Sequence, residues 1–466
     1  MRTFNDTDFL LLNDYGKKLY HEVAAALPII DPHNHIDTAS LANNTSFENL
    51  YQLWVQHDPY KHRAMRIFGI AEELITGNRP DYEKFLAWAE CFPHTVGNPL
   101  FHWTCMELKM LFGIEEILSP TTAKKIWNSA NALLRTEKFT ALNIVKNFGV
   151  ELFCTSDDLN DSLEHHLALA KQQNKITCLP SLRGDSIINI NQPSFFDWIE
   201  KLQTLTSITI KDLHSYETAI KGRLDFFDAA GCLLSDHSLD SGFKFTLCNS
   251  EKASALFAKL INKDLLDNEE IIHLQSYLLY FLGAAYAKRN WKMQLHIGAY
   301  RYTSSVLRNK VGPAGGYACI GNAVDVASLC TFLDELDKDN ALPKTILYTL
   351  NPADNAVFAS ITGSYSQDGV QGKIQFGPAW WYNDHYEGIV QQLLALSSYG
   401  LLSTSIGMTT DSRSIVSFVR HNYYRRILCN ILGQWVEEGK LPNDWEFVST
   451  MVKNISYYNI KNWIKK

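Results

Sequence analysis

The sequence predicts an α/β protein of the (β/α)8, TIM-like barrel class, on three observations. Short apolar runs of strand length occur eight times, segments with helical spacing lie between most of them, and no glycine-rich nucleotide turn follows the first run. Strands alternating with helices pair in parallel through crossover connections, and eight such units suggest a closed barrel. The competing arrangement, a doubly wound sheet, would carry its glycine-rich turn early in the chain.

Taken in order, the chain opens with a helix-like segment, Tyr15 to Ala26, before the first run, Pro28-Ile29-Ile30-Asp31. Residues 40–148 then show helical patterns, such as Asp81 to Cys91 and Thr121 to Leu134, without a convincing buried strand. They read as a helical insertion between the first and second strands of one barrel domain spanning residues 1–466. The remaining runs are Val150 to Cys154, Ile176 to Leu182, Gly231 to Ser235, Met293 to Ile297, Thr345 to Leu350, Lys373 to Phe376 and Thr404 to Met408. Helical spacing fills Ser162 to Gln173, Glu270 to Lys288, Ala323 to Asp337 and Tyr386 to Tyr399.

Composition sets the bounds. Of 466 residues 46% are hydrophobic and 20% charged, which supplies a sizeable core and argues against disorder. A net charge of -7 with no long basic run argues against nucleic-acid or membrane-surface binding and suits a small-molecule substrate. The nine cysteines are odd in number, widely spaced and without a C-x-x-C, so neither a disulfide framework nor a thiolate zinc site is expected. The first eight residues carry acids where a secretion signal would be apolar, and no apolar stretch reaches membrane-spanning length, so a cytoplasmic location is expected. A homo-oligomer is compatible with all of this.

Chemistry concentrates at strand ends. In an extended strand alternate side chains share a face, so His33 and His35 of Asp31-Pro32-His33-Asn34-His35 would point the same way, as two imidazoles converging on one metal ion. His296 ends the fifth run and Asp411 follows the eighth. Two imidazoles, a carboxylate and a third imidazole at one barrel mouth would make a mononuclear site with an open position for water or substrate. The competing reading of His296, the weaker of the two, is a core histidine bonded to backbone. The sixth run ends in Leu350-Asn351-Pro352 without a histidine, and the fourth offers Ser235-Asp236-His237 without a lysine, so a second metal is poorly supported.

Several segments also match a family. Asp31 to Ile36, Tyr60-Lys61-His62-Arg63-Ala64-Met65-Arg66, Ser235-Asp236-His237 and Leu295-His296-Ile297-Gly298-Ala299 belong to the pattern, as do Leu350-Asn351-Pro352, Trp380-Trp381-Tyr382-Asn383-Asp384 and Thr410-Asp411-Ser412-Arg413-Ser414. Together they resemble the uronate (glucuronate) isomerases, an outlying branch of the metal-dependent amidohydrolase superfamily, over essentially the whole chain. The resemblance implies a distorted barrel that interconverts D-glucuronate with D-fructuronate and D-galacturonate with D-tagaturonate. In such an aldose-to-ketose shift a C2 proton leaves, an enediol forms and a proton returns at C1. By the same resemblance His33, His35 and Asp411 would hold one divalent ion, zinc for this donor set. Asp411 or Tyr60 would move the protons, and Arg413 would stabilise developing negative charge.

Arg183, at the end of the third run, matches the family position for the substrate carboxylate, to which a planar guanidinium can donate two parallel hydrogen bonds. Trp380 and Trp381 could wall a sugar face, and Arg301 and His237 are further candidates for contact with the hexuronate. The chain departs from the family pattern in three places. Pro59 stands where a histidine is usual, Ala353 replaces an arginine in Leu350-Asn351-Pro352-Ala353-Asp354-Asn355, and the polar run after Arg301 is reduced to Tyr302-Thr303-Ser304-Ser305. Two alternatives to an isomerase follow: a metal-dependent hydrolase of the same superfamily, or a diverged paralogue that binds a sugar acid without turning it over.

Overall fold

The computed structural model describes residues 3–172 and 175–466. Its strands are β1 (Ile29–Asp31), β2 (Val150–Cys154), β3 (Asp157–Asp158), β4 (Thr177–Leu179), β5 (Ser181–Arg183), β6 (Leu234–Leu239), β7 (Lys292–Ile297), β8 (Ala299–Tyr300), β9 (Cys319–Ile320), β10 (Thr345–Thr349) and β11 (Ile374–Phe376). One parallel sheet has the order β1-β2-β4 and a second the order β11-β10-β7-β6-β5-β3, while β8 and β9 pair antiparallel. The two parallel sheets are one barrel wall interrupted twice.

The first interruption is Pro180. β4 pairs with β2 and β5 with β6, and the proline between them has no N–H to carry the ladder across. The expected third strand is therefore two half-strands serving different neighbours.

The second interruption corrects the eighth expected strand. Thr404 closes a 3-10 turn, Leu402–Thr404, and residues 405–412 form no strand. Gly407 at φ 81° and Asp411 at φ 44° take this segment off β geometry. Closure against β1 is made largely by a side chain instead. The buried Asp31 carboxylate accepts from Thr409 Oγ1 at 2.6 Å, Thr410 N at 3.1 Å and Thr410 Oγ1 at 2.5 Å. Beyond β1, Asp411 N donates to His33 O and His35 N donates to Ser412 O.

The fourth strand also differs, starting at Leu234 where the sequence suggested Gly231. Helix Leu213–Ala229 has to be turned off first, and Gly231 at φ 91° does this. Other helices follow their apolar periodicity closely. Asn268–Lys288 starts on a capping box in which Asp267 and Glu270 satisfy each other's backbone N–H groups. Val326–Lys338 and Tyr386–Tyr399 lie where their spacing indicated. Glu164–Lys171 is shorter than the segment read from the sequence, whose last residue, Gln173, lies outside the described residues.

Between β1 and β2 the described chain is helical apart from turns and one isolated bridge, Ser46 to Thr140. One of these helices, Pro59–Phe68, bears on the site. Asp58 caps it by accepting from Tyr60 N at 2.9 Å and Lys61 N at 3.2 Å. Pro59 occupies the first turn, where a missing N–H costs nothing. Ile30, Cys154, Leu234, Ile346 and Ile406 form a small buried cluster separate from the main one, the inner layer expected of a filled barrel. All nine cysteines are free. No helix among the described residues is long and apolar enough to cross a membrane.

Candidate active site

His33 and His35 lie just past the C-terminal end of β1 and converge on one oxygen. Their Nε2 atoms stand 3.1 Å and 3.0 Å from Asp411 Oδ1. The second carboxylate oxygen, Oδ2, accepts from Trp380 Nε1 at 2.5 Å, which fixes the orientation of the carboxylate. Asp411 holds a left-handed backbone conformation, as does Trp381 at φ 51°. Such strain persists where the surrounding structure over-determines it, and here it sits at the mouth of the barrel.

His296, near the end of β7, points into the same space. Its ring stacks on Tyr348 at 4.4 Å and 7°, lies 4.4 Å from the His33 ring and 4.8 Å from Trp380. Its buried Nε2 has no hydrogen-bond partner, nor does His33 Nδ1. Asp236 of β6 completes the cluster: donor atoms of His33, Asp236 and His296 lie within 4.8 Å of one another, as do those of His33, His35 and Asp411. His33 belongs to both groups.

The electrostatics suit a cation. Burial works to raise the Asp411 carboxyl, but hydrogen bonds from His33 and His35 outweigh it and hold the group well below the usual carboxylate range. Burial lowers His35 to about 4 and His296 well below its ordinary value, keeping both imidazoles neutral and able to donate a lone pair. Burial pushes Asp236 up to about 6, eased by His33. At His33 burial is outweighed by Asp411 and Asp236, and its pKa is raised. Two carboxylates about one imidazole set the charge requirement that a divalent cation meets, and the buried, unpartnered His296 nitrogen is a donor aimed at it. These residues fit a metal ion.

The cluster opens into a cavity of about 310 Å³ whose lining includes Tyr60, Arg183, Arg301, Trp380, Trp381 and Arg413. Burial pushes the Tyr60 phenol well above its usual range, so it stays protonated. Arg183 Nε donates to Asp185 Oδ2 at 2.8 Å, and Arg301 Nε donates to Asp240 Oδ1 at 2.8 Å, so each guanidinium is held by one edge. Pro59 lines the cavity as well, beside Pro313, Ala314 and Ala318, so that one wall is apolar. Ala353 is exposed and does not line it.

His237 is placed elsewhere. It alternates with Asp236 along β6, and its Nε2 meets Tyr286 OH at 3.0 Å on the helix behind the strand. Gly184 packs so closely on its ring that any β-carbon there would collide with it. Asp236 therefore faces the cavity and His237 the outer layer, the reverse of the sequence-based choice. Period-two alternation is visible in Ser235-Asp236-His237, but both faces of a barrel strand are buried, so the pattern does not say which face is inward.

A parallel barrel with imidazole and carboxylate donors gathered at the C-terminal ends of its strands defines the class: a (β/α)8 barrel with a candidate metal centre, of the kind that hosts enzymes at that end. The chain belongs to the glucuronate isomerase family, whose sequence profile matches residues 1–464. It is 43% identical over 465 residues to the uronate isomerase of Bacillus licheniformis, across 100% of this chain and 98% of that protein. Identity to the uronate isomerase of Caldanaerobacter subterraneus subsp. tengcongensis is also 43% over 465 residues, covering 100% of each. Among solved structures, the uronate isomerase of Thermotoga maritima superposes with a TM-score of 0.94 at 31% identity over 100% of both chains. The glucuronate isomerase of Caulobacter crescentus superposes with a TM-score of 0.91 at 23% identity, over 99% of this chain and 97% of that one, a likeness of fold.

Proposed function

We infer that the chain is an aldose–ketose isomerase of hexuronates, interconverting D-glucuronate with D-fructuronate and D-galacturonate with D-tagaturonate. Family membership over the whole chain carries the reaction class. The observation that carries the assignment of residues is the convergence of His33, His35, Asp411, Tyr60, Arg183 and Arg413 on one cavity.

His33, His35 and Asp411 would hold one divalent ion, with His296 and Asp236 within reach of the same centre. Zinc is the ion proposed, because the donors are imidazole and carboxylate without thiolate. When bound, the ion supplies fixed positive charge beside the sugar oxygens. The protein's own groups account for the rest. Asp411, ionised and oriented by Trp380, can take a proton as the C2–H bond breaks. The Tyr60 phenol, kept protonated by burial, can exchange a proton with the oxygens of the enediol. Arg413 brings a guanidinium to the cavity for charge developing on the enediolate. Arg183, anchored through Nε to Asp185, leaves its terminal nitrogens for the substrate carboxylate.

The test is an assay of metal-replete protein on both hexuronates with detection of the ketose. Conversion of at least one supports the reading. Failure to convert either at high concentration, with binding of one by calorimetry, would replace it with a sugar-acid-binding paralogue. Pro59 on the cavity wall is the observation that keeps this second reading in view.

A further inference from the structure

Arg420, the second residue of helix Val419–Glu437, is 1% exposed yet lies within contact of three segments that each carry a cavity residue. Its Nη1 donates to Thr410 O at 3.2 Å, the carbonyl immediately before Asp411, and to Asp384 Oδ2 at 3.4 Å, at the end of the segment holding Trp380 and Trp381. Its guanidinium carbon stands 3.8 Å from the Trp103 ring centre and 5.0 Å from that of Tyr60. Only a planar cation can stack on aromatic faces while donating in its own plane to two oxygens.

The surroundings make this cation costly to misplace. Asp58 and Lys61 form a buried ion pair at 2.6 Å on the Tyr60 helix, Glu107 lies 3.8 Å from Lys61, and Asp384 is 3% exposed with Oδ1 unpartnered. Arg420 Nε is likewise buried without a partner. A buried charge left with an unused donor is poor value for stability alone, since an apolar side chain of similar volume would avoid its desolvation. Its place at the junction of three cavity segments is explained by geometry.

We propose that Arg420 is a positioning residue of the isomerisation: it fixes the Tyr60 phenol relative to the Asp411 carboxylate by stacking on the one and bonding the Thr410 carbonyl of the peptide that leads into the other. The inference rests on the roles given to Tyr60 and Asp411 above. Arg420 touches no cavity volume itself and acts through those two groups. Lysine at this position keeps the charge but not the plane, so Tyr60 is freed to shift on its helix.

The experiment compares wild type, Arg420→Lys, Tyr60→Phe and the double variant, all metal-replete, on the hexuronate that wild type converts. Arg420→Lys should lose about 10- to 100-fold in kcat, as expected for sub-ångström to ångström misplacement of a reacting group, with KM within about threefold and metal content unchanged. In the Tyr60→Phe background the same change should cost about twofold or less, because the phenol it positions is already gone. A purely structural role would give losses that multiply, and that result overturns the proposal. So does a kcat for Arg420→Lys within about twofold of wild type. If Arg420→Lys does not accumulate folded, Asp384→Ala, which removes one of the two polar anchors, is read by the same cycle. Inactive wild type would instead strike at the function proposed above.

Discussion

His33, just past β1, and His237, within β6, are both buried histidines, and they should answer differently to the same substitution. His33→Ala removes a donor shared by both candidate ligand groups, so bound divalent ion should fall from about one equivalent to a small fraction of one. His237→Ala removes the contact with Tyr286 and the packing on Gly184, both outside the cavity, and should keep about one equivalent while losing stability. Metal analysis after dialysis decides it, and equal retention in both variants would remove His33 from the site. Arg183 is tested by kinetics. Arg183→Lys should lower kcat/KM by about tenfold or more, because a point charge cannot reproduce the fork that Asp185 orients; unchanged kinetics would leave it as a structural partner of Asp185. At this scale much of the candidate site was legible, since His33, His35 and Asp411 each follow an apolar run and His296 lies near the end of one. Asp236 was not selected because the sequence shows alternation without showing which face is inward, and Arg420 was not because it stands in a polar stretch with His421, Asn422, Arg425 and Arg426, where nothing local marks one arginine as buried beside the cavity.

At the scale of elements, the strands that were easiest to read are those with continuous burial, β7 and β10, whose apolar runs coincide with the observed ladders. The exceptions have local causes. Pro180 splits one run into β4 and β5, and glycine and aspartate at positive φ keep residues 405–412 from pairing as a strand. A period-two apolar pattern is present there, but side-chain hydrogen bonds to Asp31 replace the ladder, and these depend on residues 378 and 379 positions away. Thr409→Val tests that closure. It removes the hydroxyl that donates to Asp31 Oδ1 at 2.6 Å and leaves a buried carboxylate oxygen with one partner fewer. The cost should be about 1–3 kcal/mol, read as a lower denaturant midpoint at unchanged slope. A midpoint equal to wild type would mean that the backbone contacts beyond β1 suffice.

For the molecule as a whole, burial of acids around the barrel makes stability depend on pH in two opposed senses. Asp31, Asp58, Asp185 and Asp411 are held below their ordinary values: burial alone would raise them, but neighbouring cations and hydrogen bonds win. Each adds stability above its unfolded value that is lost as pH falls through its folded value. Asp157 goes the other way. Burial pushes its carboxyl up to about 7, although Thr155 Oγ1 at 2.7 Å and Ser181 N at 3.3 Å both donate to Oδ2. Below about pH 4 it is protonated in both states and costs nothing. Between there and pH 7 the folded protein keeps a proton that the unfolded chain has released, so stability falls as pH rises, and the full penalty is present above about 7. Asp157→Asn keeps an oxygen acceptor for Thr155 and Ser181 but cannot ionise. Asp157 is outside the cavity, so metal-replete protein can be compared directly at pH 5 and pH 8. The fall in Tm between these values should be smaller in the variant by roughly 2–4 °C for a chain of this length. An equal fall in both proteins would show that Asp157 ionises freely in place, and that the half-strand β3 pairs with β5 without a proton held beneath it.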